Sequence, residues 1–384
     1  MTLKEPYDAT LLPPGVRSRH VDNSNGLDVH VLEAGFETPG RPAVLLLHGF
    51  PELAYSWRKV IPPLAHAGYY VIAPDLRGYG RTIGWGPVTY DDPLVQFRLL
   101  NTVRDAVGLV HACGLREVAA VIGHDYGSSV AAWSALVRPD IFKTCVLMSA
   151  PFGGPPELKV ATETPRATSG EDIHEAMAAL KRPRKHYHWY YSTRPANADI
   201  MGCAEGIHAF LRAYYHHKSA DWKSNLPFRL EAWRADQLAL MPTYYIMDLE
   251  HTMPEAVAKE MPSAAKILAN SWLTDEELAV YAAEYTRNGF QGGLNWYRRG
   301  TLGFDTTELQ IFSGRTIDQP SCFIAGSSDW GVYQRPGVAE RMNGTACTDM
   351  RGLHLIAGAG HWVQQEQPEE TCRLLLEFLR DASK

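Results

Sequence analysis

The sequence predicts an α/β fold: a mostly parallel sheet with helices on both faces, interrupted by a long helical insertion. Three observations predict it. Short apolar runs alternate with helical patterns over residues 1–150. The alternation stops near Pro151, and from there to Arg299 the chain is rich in tyrosine and tryptophan, helical in pattern and broken by prolines. Strand patterns then return at Ser321–Gly326 and Met350–Ile356. A core is therefore expected over 1–150 and 300–384, with 151–299 as a helical cap.

Leu27–Glu33 alternates as a half-exposed strand does. Ala43–Leu47 is apolar throughout, as expected of a strand covered on both faces, and Tyr70–Ala73, Val118–Ile122 and Lys143–Ser149 are of the same kind. The clearest helix carries Leu99, Val103, Val107 and Val110 on one face and ends at Gly114, a suitable C-terminal cap. Within the insertion, Thr274 and Glu277 form a capping box that starts a further helix. Pro368–Ala382 closes the chain as a helix.

Composition excludes several functions. Hydrophobic residues make up 45% and charged residues 21%, with a net charge of -6. No strong basic field exists to hold nucleic acid. The basic run Lys181-Arg182-Pro183-Arg184-Lys185 is expected to be a solvated loop. The six cysteines show no CxxC pairing, so neither a metal site nor a disulfide framework is expected, and the usage fits a reducing compartment. Met1–Pro14 has no apolar h-region, no window reaches the ~18 apolar residues of a membrane span, and the terminal Ala382-Ser383-Lys384 lacks a peroxisomal leucine. A cytoplasmic protein without membrane insertion is the expectation.

Four motifs carry chemistry. Gly123-His124-Asp125-Tyr126-Gly127 lies between an apolar strand and a helical run. It has the pattern of a nucleophile elbow, a tight turn that lifts its central side chain above the sheet, flanked by glycines because a Cβ would clash there. The central residue is an aspartate. His48-Gly49-Phe50-Pro51-Glu52 follows the strand Leu45-Leu46-Leu47. A loop in that position supplies one backbone N–H of an oxyanion hole, Phe50 here, with the N–H of Tyr126 as its partner. Gly358-Ala359-Gly360-His361-Trp362 follows the last strand and places His361, one of fifteen histidines, as a general base. Asp329, in Gly326-Ser327-Ser328-Asp329-Trp330 after the penultimate strand, is the acid expected to orient it.

A carboxylate is already ionised at neutral pH and needs no base to attack. It suits displacement at a saturated carbon, a strained epoxide or a carbon bearing halide. The product is an ester on Asp125, which water activated by His361 would hydrolyse. An epoxide oxygen leaves as an alkoxide and needs an acid, whereas a halide needs weak N–H donors or a cation.

The chain resembles the soluble epoxide hydrolases of the α/β-hydrolase superfamily. The matching stretches are His48-Gly49-Phe50-Pro51-Glu52, Asp75-Leu76-Arg77-Gly78-Tyr79-Gly80, Gly123-His124-Asp125-Tyr126-Gly127, Leu294-Asn295-Trp296-Tyr297-Arg298 and Gly360-His361-Trp362-Val363-Gln364. The resemblance implies an eight-stranded sheet, no cofactor, no metal and a small-molecule epoxide as partner. It also implies that two cap tyrosines donate hydrogen bonds to the epoxide oxygen. Tyr297 matches one. The other falls in Tyr187-His188-Trp189-Tyr190-Tyr191, where the pattern favours Tyr187 and leaves Tyr190 and Tyr191 open. Glu52 is implied as a helper near the hydrolytic water, with His48, Trp330 and Trp362 in support.

Departures point to two alternatives. Tyr126 stands where many relatives carry tryptophan. Haloalkane dehalogenases use that tryptophan, often with an asparagine in place of Phe50, and this chain has neither. His188-Trp189 resembles the halide pocket of fluoroacetate dehalogenases, but their arginine after the nucleophile is missing. A non-catalytic receptor on the same fold is the other alternative, and the complete Asp125, Asp329 and His361 set argues against it. The cap is longer than in compact relatives. The pocket is expected between core and cap, lined by tyrosine, tryptophan and leucine, and suited to an apolar or aromatic epoxide. A detoxifying role is expected alongside a biosynthetic alternative, and the oligomeric state is open, a homodimer being one option.

Overall fold

Ala43–Leu47, Ala120–His124, Cys145–Met148 and Ser321–Gly326 bury every side chain, so they form the middle of a sheet covered on both faces. The computed structural model describes residues 5–158 and 172–384. Residues 159–171 of the expected cap, and 1–4 of the N-terminus, lie outside them.

The strands are β1 (Arg17–Asp22), β2 (Asp28–Ala34), β3 (Ala43–Leu47), β4 (Tyr70–Pro74), β5 (Ala120–His124), β6 (Cys145–Met148), β7 (Arg184–His186), β8 (Ile246–Asp248), β9 (Ser321–Gly326) and β10 (Met350–Ile356). Eight of them form one sheet in the order β1-β2-β4-β3-β5-β6-β9-β10. The pairs β1–β2 and β2–β4 are antiparallel, and every other neighbouring pair is parallel. Two helix pairs flank the sheet, Leu99–Ala112 with Tyr126–Val137, and Ile61–His66 with Pro368–Ala382. This is the fold expected from the sequence. The capping box at Thr274 and Glu277 is present and opens the helix Asp275–Asn288. Gly114 takes φ 75° just beyond the helix Leu99–Ala112.

Three elements differ from the expectation. β1 was not foreseen, because Arg-Ser-Arg-His carries no apolar alternation. As an edge strand it uses charge instead: Arg17 and Arg19 bind the fully buried Glu33 of β2 at 2.6 and 2.5 Å. β5 runs two residues further than its apolar run and takes in the fully buried His124. The insertion also holds a small antiparallel sheet, β7 with β8. The basic run is thus divided: Lys181, Arg182 and Pro183 are exposed and outside any strand, as expected, whereas Arg184 and Lys185 belong to β7. Arg182 and Arg184 both pair with Asp248 across that ladder, at 2.6 and 2.9 Å.

The last helix of the insertion, Gln291–Thr301, is seated by close backbone contact. Gly78 adopts φ 93°, and a Cβ on it would meet the Gly292 backbone at 2.8 Å. A Cβ on Gly293 would meet the Phe50 ring at 2.8 Å. Trp296 Nε1 donates to Arg77 O at 2.9 Å. The Asp75–Gly80 stretch is thus the seat of the helix that carries Tyr297.

Alanine at two glycines of this one helix should act in opposite directions. Gly292→Ala drives a methyl into the Gly78 backbone and should lower the unfolding free energy by roughly 1–3 kcal/mol. Gly300 has open space around it, so Gly300→Ala should raise it by up to about 1 kcal/mol. Urea unfolding of both variants is the measurement, and equal effects would sink the packing argument.

Candidate active site

Asp125 sits on the turn between β5 and the helix Tyr126–Val137, with φ 53° and ψ -116°. For a residue with a side chain this backbone is strained, by roughly 1–3 kcal/mol, and it persists because its surroundings fix it. A Cβ on Gly123 would overlap the carbonyl of Gly127, and one on Gly127 would overlap Leu47 O of β3. A Cβ on Gly49 would overlap the Asp125 side chain itself. Glycine at these three positions lets the ends of β3 and β5 approach closely enough to share one carboxylate.

Phe50 N–H donates to Asp125 Oδ1 at 3.0 Å. Tyr126 contributes the first amide of its helix, one of the four that have no intrahelical acceptor. On the other side, His361 Nε2 lies 3.5 Å from Asp125 Oδ2. His361 Nδ1 lies 3.1 Å from Asp329 Oδ1, which also accepts from Gly331 N–H at 2.7 Å. Asp329 accepts from His361 Nδ1–H, the proton staying on the nitrogen, and Nε2 is turned toward Asp125. Burial raises the pKa of Asp125, but His361, Lys218 and His124 outweigh it and hold the carboxyl well below the usual carboxylate range. Burial also opposes charge on Asp329, and His361 with the Gly331 amide lowers its pKa overall.

Tyr297 stands over this group. Its ring is edge-on to Phe50, whose amide donates to the carboxylate, at 5.3 Å and to Tyr126 at 4.8 Å. Tyr187 is 5.8 Å from it, ring to ring. Of the three tyrosines left open, Tyr190 spends its hydroxyl on Asp199 at 3.0 Å, and the buried hydroxyl of Tyr191 is turned to Tyr214. The Tyr187 hydroxyl donates to Gln334 Oε1 at 3.3 Å and lies 2.8 Å from His188 Nε2. Burial keeps His188 neutral, far below the ordinary histidine pKa, so Nε2 donates to Tyr187.

The remaining expected residues support the turns. Leu76 N–H donates to His48 Nε2 at 3.0 Å, which leaves Nδ1–H to hold Gly49 O at 2.8 Å. Trp330 is buried against Phe228, and Trp362 Nε1 donates to Tyr215 O at 2.9 Å. Glu52 is fully buried and binds His124 Nδ1 at 2.5 Å, Gln364 at 2.8 Å and Gln365 at 3.1 Å. A separate void bounded by Leu27, Leu47, Asp105 and Trp296 does not border Asp125, His361 or Tyr297. Of its charged members, Asp105 and Arg77 pair with each other and Asp75 pairs with His30. Among the described residues no group of three or more His, Cys, Asp or Glu is placed to hold a metal, and no helix is long and apolar enough to cross a membrane.

The family model of the alpha/beta hydrolase fold matches residues 42–185. Epoxide hydrolase A of Mycobacterium tuberculosis is 34% identical over 370 residues, 95% of this chain and 98% of that protein. Epoxide hydrolase B of the same organism is 33% identical over 377 residues, 93% of this chain and 96% of its own length. The chain belongs to the epoxide hydrolases. It is a hydrolase of the α/β-hydrolase fold. The solved structure of an epoxide hydrolase from an endophytic Streptomyces superposes with a TM-score of 0.74 at 30% identity, covering 96% of each chain.

Several residues of this epoxide hydrolase site carried no sequence signal of their own. His124 was only the spacer in the elbow motif, yet it lies directly beneath Asp125. Its Nδ1 faces Glu52 and its Nε2 faces His361 O at 2.7 Å. Both partners are acceptors, so His124 is an imidazolium. Glu366 accepts from Gly360 N at 2.9 Å, Trp362 N at 3.0 Å and Ala220 N at 2.8 Å, joining the His361 loop to the insertion. Lys218 ends the helix Gly206–Lys218 and is buried beside the site. A run such as Tyr214-Tyr215-His216-His217-Lys218 reads as an ordinary helix end.

Burial opposes charge on His124, but Glu52 outweighs it and raises the pKa above the ordinary histidine value. Burial opposes charge on Glu52 too, and His124 lowers its pKa overall. The stability due to the imidazolium is complete below the unfolded histidine pKa of about 6.5. It is lost as pH rises through the folded value. The unfolding free energy should therefore fall, on going from mildly acid to alkaline pH, by a component that Glu52→Gln removes. Breaking the buried pair should itself cost about 3–5 kcal/mol in mildly acid solution. Urea unfolding at a series of pH values measures both, and a wild-type-to-variant difference that is constant with pH would contradict the charged pair.

Proposed function

We propose that this enzyme opens an epoxide with water to give a vicinal diol, through a covalent ester on Asp125. The observation that carries the reading is the placement of one ionised carboxylate between an amide donor, the Nε2 of a histidine and the Tyr297 ring. Asp125 attacks one epoxide carbon, the carbon–oxygen bond breaks, and the oxygen takes a proton from Tyr297 or Tyr187. These two hydroxyls suit an alkoxide leaving group, which needs an acid.

The ester is then hydrolysed. His361 removes a proton from water, and the hydroxide attacks the carboxyl carbon of Asp125. Asp329 stabilises the imidazolium that forms. The amides of Phe50 and Tyr126 receive the oxyanion. Collapse returns Asp125 as a carboxylate and releases the diol, and the histidine proton restores the tyrosine. Epoxide plus water equals diol, with nothing left over. The rings of Phe50, Tyr126, Tyr187, Tyr191 and Tyr297 crowd round the carboxylate and suit an apolar or aromatic epoxide. The insertion, which carries both tyrosines, acts as the cap.

Incubation with styrene oxide should yield diol, and incubation with a bromoalkane should yield no bromide. His361→Gln should accumulate a mass adduct on Asp125. Tyr297→Phe should slow adduct formation by about 10²-fold or more, the usual share of a positioned acid. Bromide without diol would move the assignment to a dehalogenase.

A further inference from the structure

Lys218 is a buried cation that the reaction above does not use. It is 2% exposed. Among the described residues no carboxylate lies within ion-pair distance of it. Its Nζ is instead surrounded by rings: Tyr245 at 4.8 Å, Tyr214 at 5.3 Å, Trp362 at 5.4 Å, Tyr244 at 5.7 Å and Tyr187 at 6.0 Å. Each face attracts a cation through the ring quadrupole without cancelling its charge. Lys218 is also the last residue of a helix of 13, where the backbone dipole favours positive charge.

The same residue is fixed to the catalytic loop. His361 N–H donates to Lys218 O at 2.9 Å, and a Cβ on Gly360 would meet that oxygen at 2.6 Å. The acidic groups that act on its charge are Asp125, Asp329 and Glu52. From the insertion it faces the neutral His188 and Tyr187, and from its own helix His217 and Tyr214. Tyr244 and Tyr245 face it from the approach to β8, and Trp362 from the histidine loop. After His361, Lys218 and His124 are the groups that lower the pKa of Asp125.

We propose that Lys218 is an electrostatic residue of the reaction, a cation caged by aromatic rings that steadies negative charge first on Asp125 and then on the opened epoxide oxygen. It touches neither the substrate nor the carboxylate and acts through the field it sets up. A carboxylate partner would have cancelled that field, whereas the ring cage preserves it as the charge moves from Asp125 toward the tyrosines. Burial draws the ammonium down to about 8, against the pull of Asp125, Asp329 and Glu52. The charge is therefore present at neutral pH and is lost in mildly alkaline solution.

The inference rests on Asp125 as the nucleophile, so the test is run where the ester accumulates. In a His361→Gln background, the rate of Asp125 adduct formation from styrene oxide is followed by intact mass across pH. The parent should slow as pH rises through about 8. Lys218→Met, which keeps the bulk and apolar stem, should be slower at neutral pH by roughly tenfold or more and lose that pH dependence. Lys218→Arg should restore most of the rate and keep it at alkaline pH, because the guanidinium stays charged. Equal rates and equal pH profiles in the parent and Lys218→Met would overturn the assignment of Lys218. So would a Lys218→Arg variant as slow as Lys218→Met, which would mark a packing role. Absence of any adduct in the His361→Gln parent would instead overturn the ester reading itself.

Discussion

The contact between the ends of β3 and β5 is the constraint on which the site depends. Leu47 O and Gly127 approach so closely that no side chain fits between them. That approach brings Phe50 N–H to Asp125 Oδ1. It also forces Asp125 into a backbone conformation that a free chain would avoid. The strain is held because β3 and β5 are packed on both faces, and a sheet interior transmits displacement rather than absorbing it. The sheet order then decides the rest. β6, β9 and β10 follow on one side of β5, so the loops after β9 and β10 deliver Asp329 and His361 to the same edge.

Beneath this edge lies a layer of buried charge. His124 and Glu52 form an ion pair that Gln364 and Gln365 close from the segment after His361. Such a pair gains little over an apolar core, but removing one member leaves the other uncompensated. Its value here is in position. His124 touches the His361 carbonyl, and Glu52 touches the Gly49 amide, so one pair ties the loop of β3 to the loop of β10. Glu366 does the same between the His361 loop and Ala220 of the insertion. The insertion is therefore bonded to the His361 loop as well as packed over it.

Much of this was legible in the sequence wherever one residue type answers one local demand. Continuous apolar runs marked β3 and β9 residue for residue, since a strand covered on both faces has no other composition open to it. The elbow was legible because only glycine fits beside Asp125. Asp329 and His361 followed from strand order. β1 was illegible because an edge strand is stabilised by Arg17 and Arg19 reaching Glu33, a pairing the periodicity of Arg17–Asp22 does not reveal. β7 was illegible for the same reason, its Arg184 being answered by Asp248 more than sixty residues away. Tyr187, Tyr190 and Tyr191 could not be told apart in the sequence, because the fold sets where each hydroxyl finds its partner.

Lys218 shows most plainly why sequence runs out at such a site. A buried lysine is expected to lie beside a carboxylate, and a search for its partner in the sequence would look for an acid. The structure answers with five rings drawn from four separate stretches of chain. Rings stabilise a cation less strongly than an anion does, so the ammonium is left with a depressed pKa and an unspent field. That field is among the influences that lower the pKa of Asp125, against the burial that raises it. A site lined by rings and a carboxylate that carries charge make opposed demands on the local dielectric. A cation held by rings, with the His124 imidazolium nearby, answers the charge on Asp125 without adding a second anion beside it.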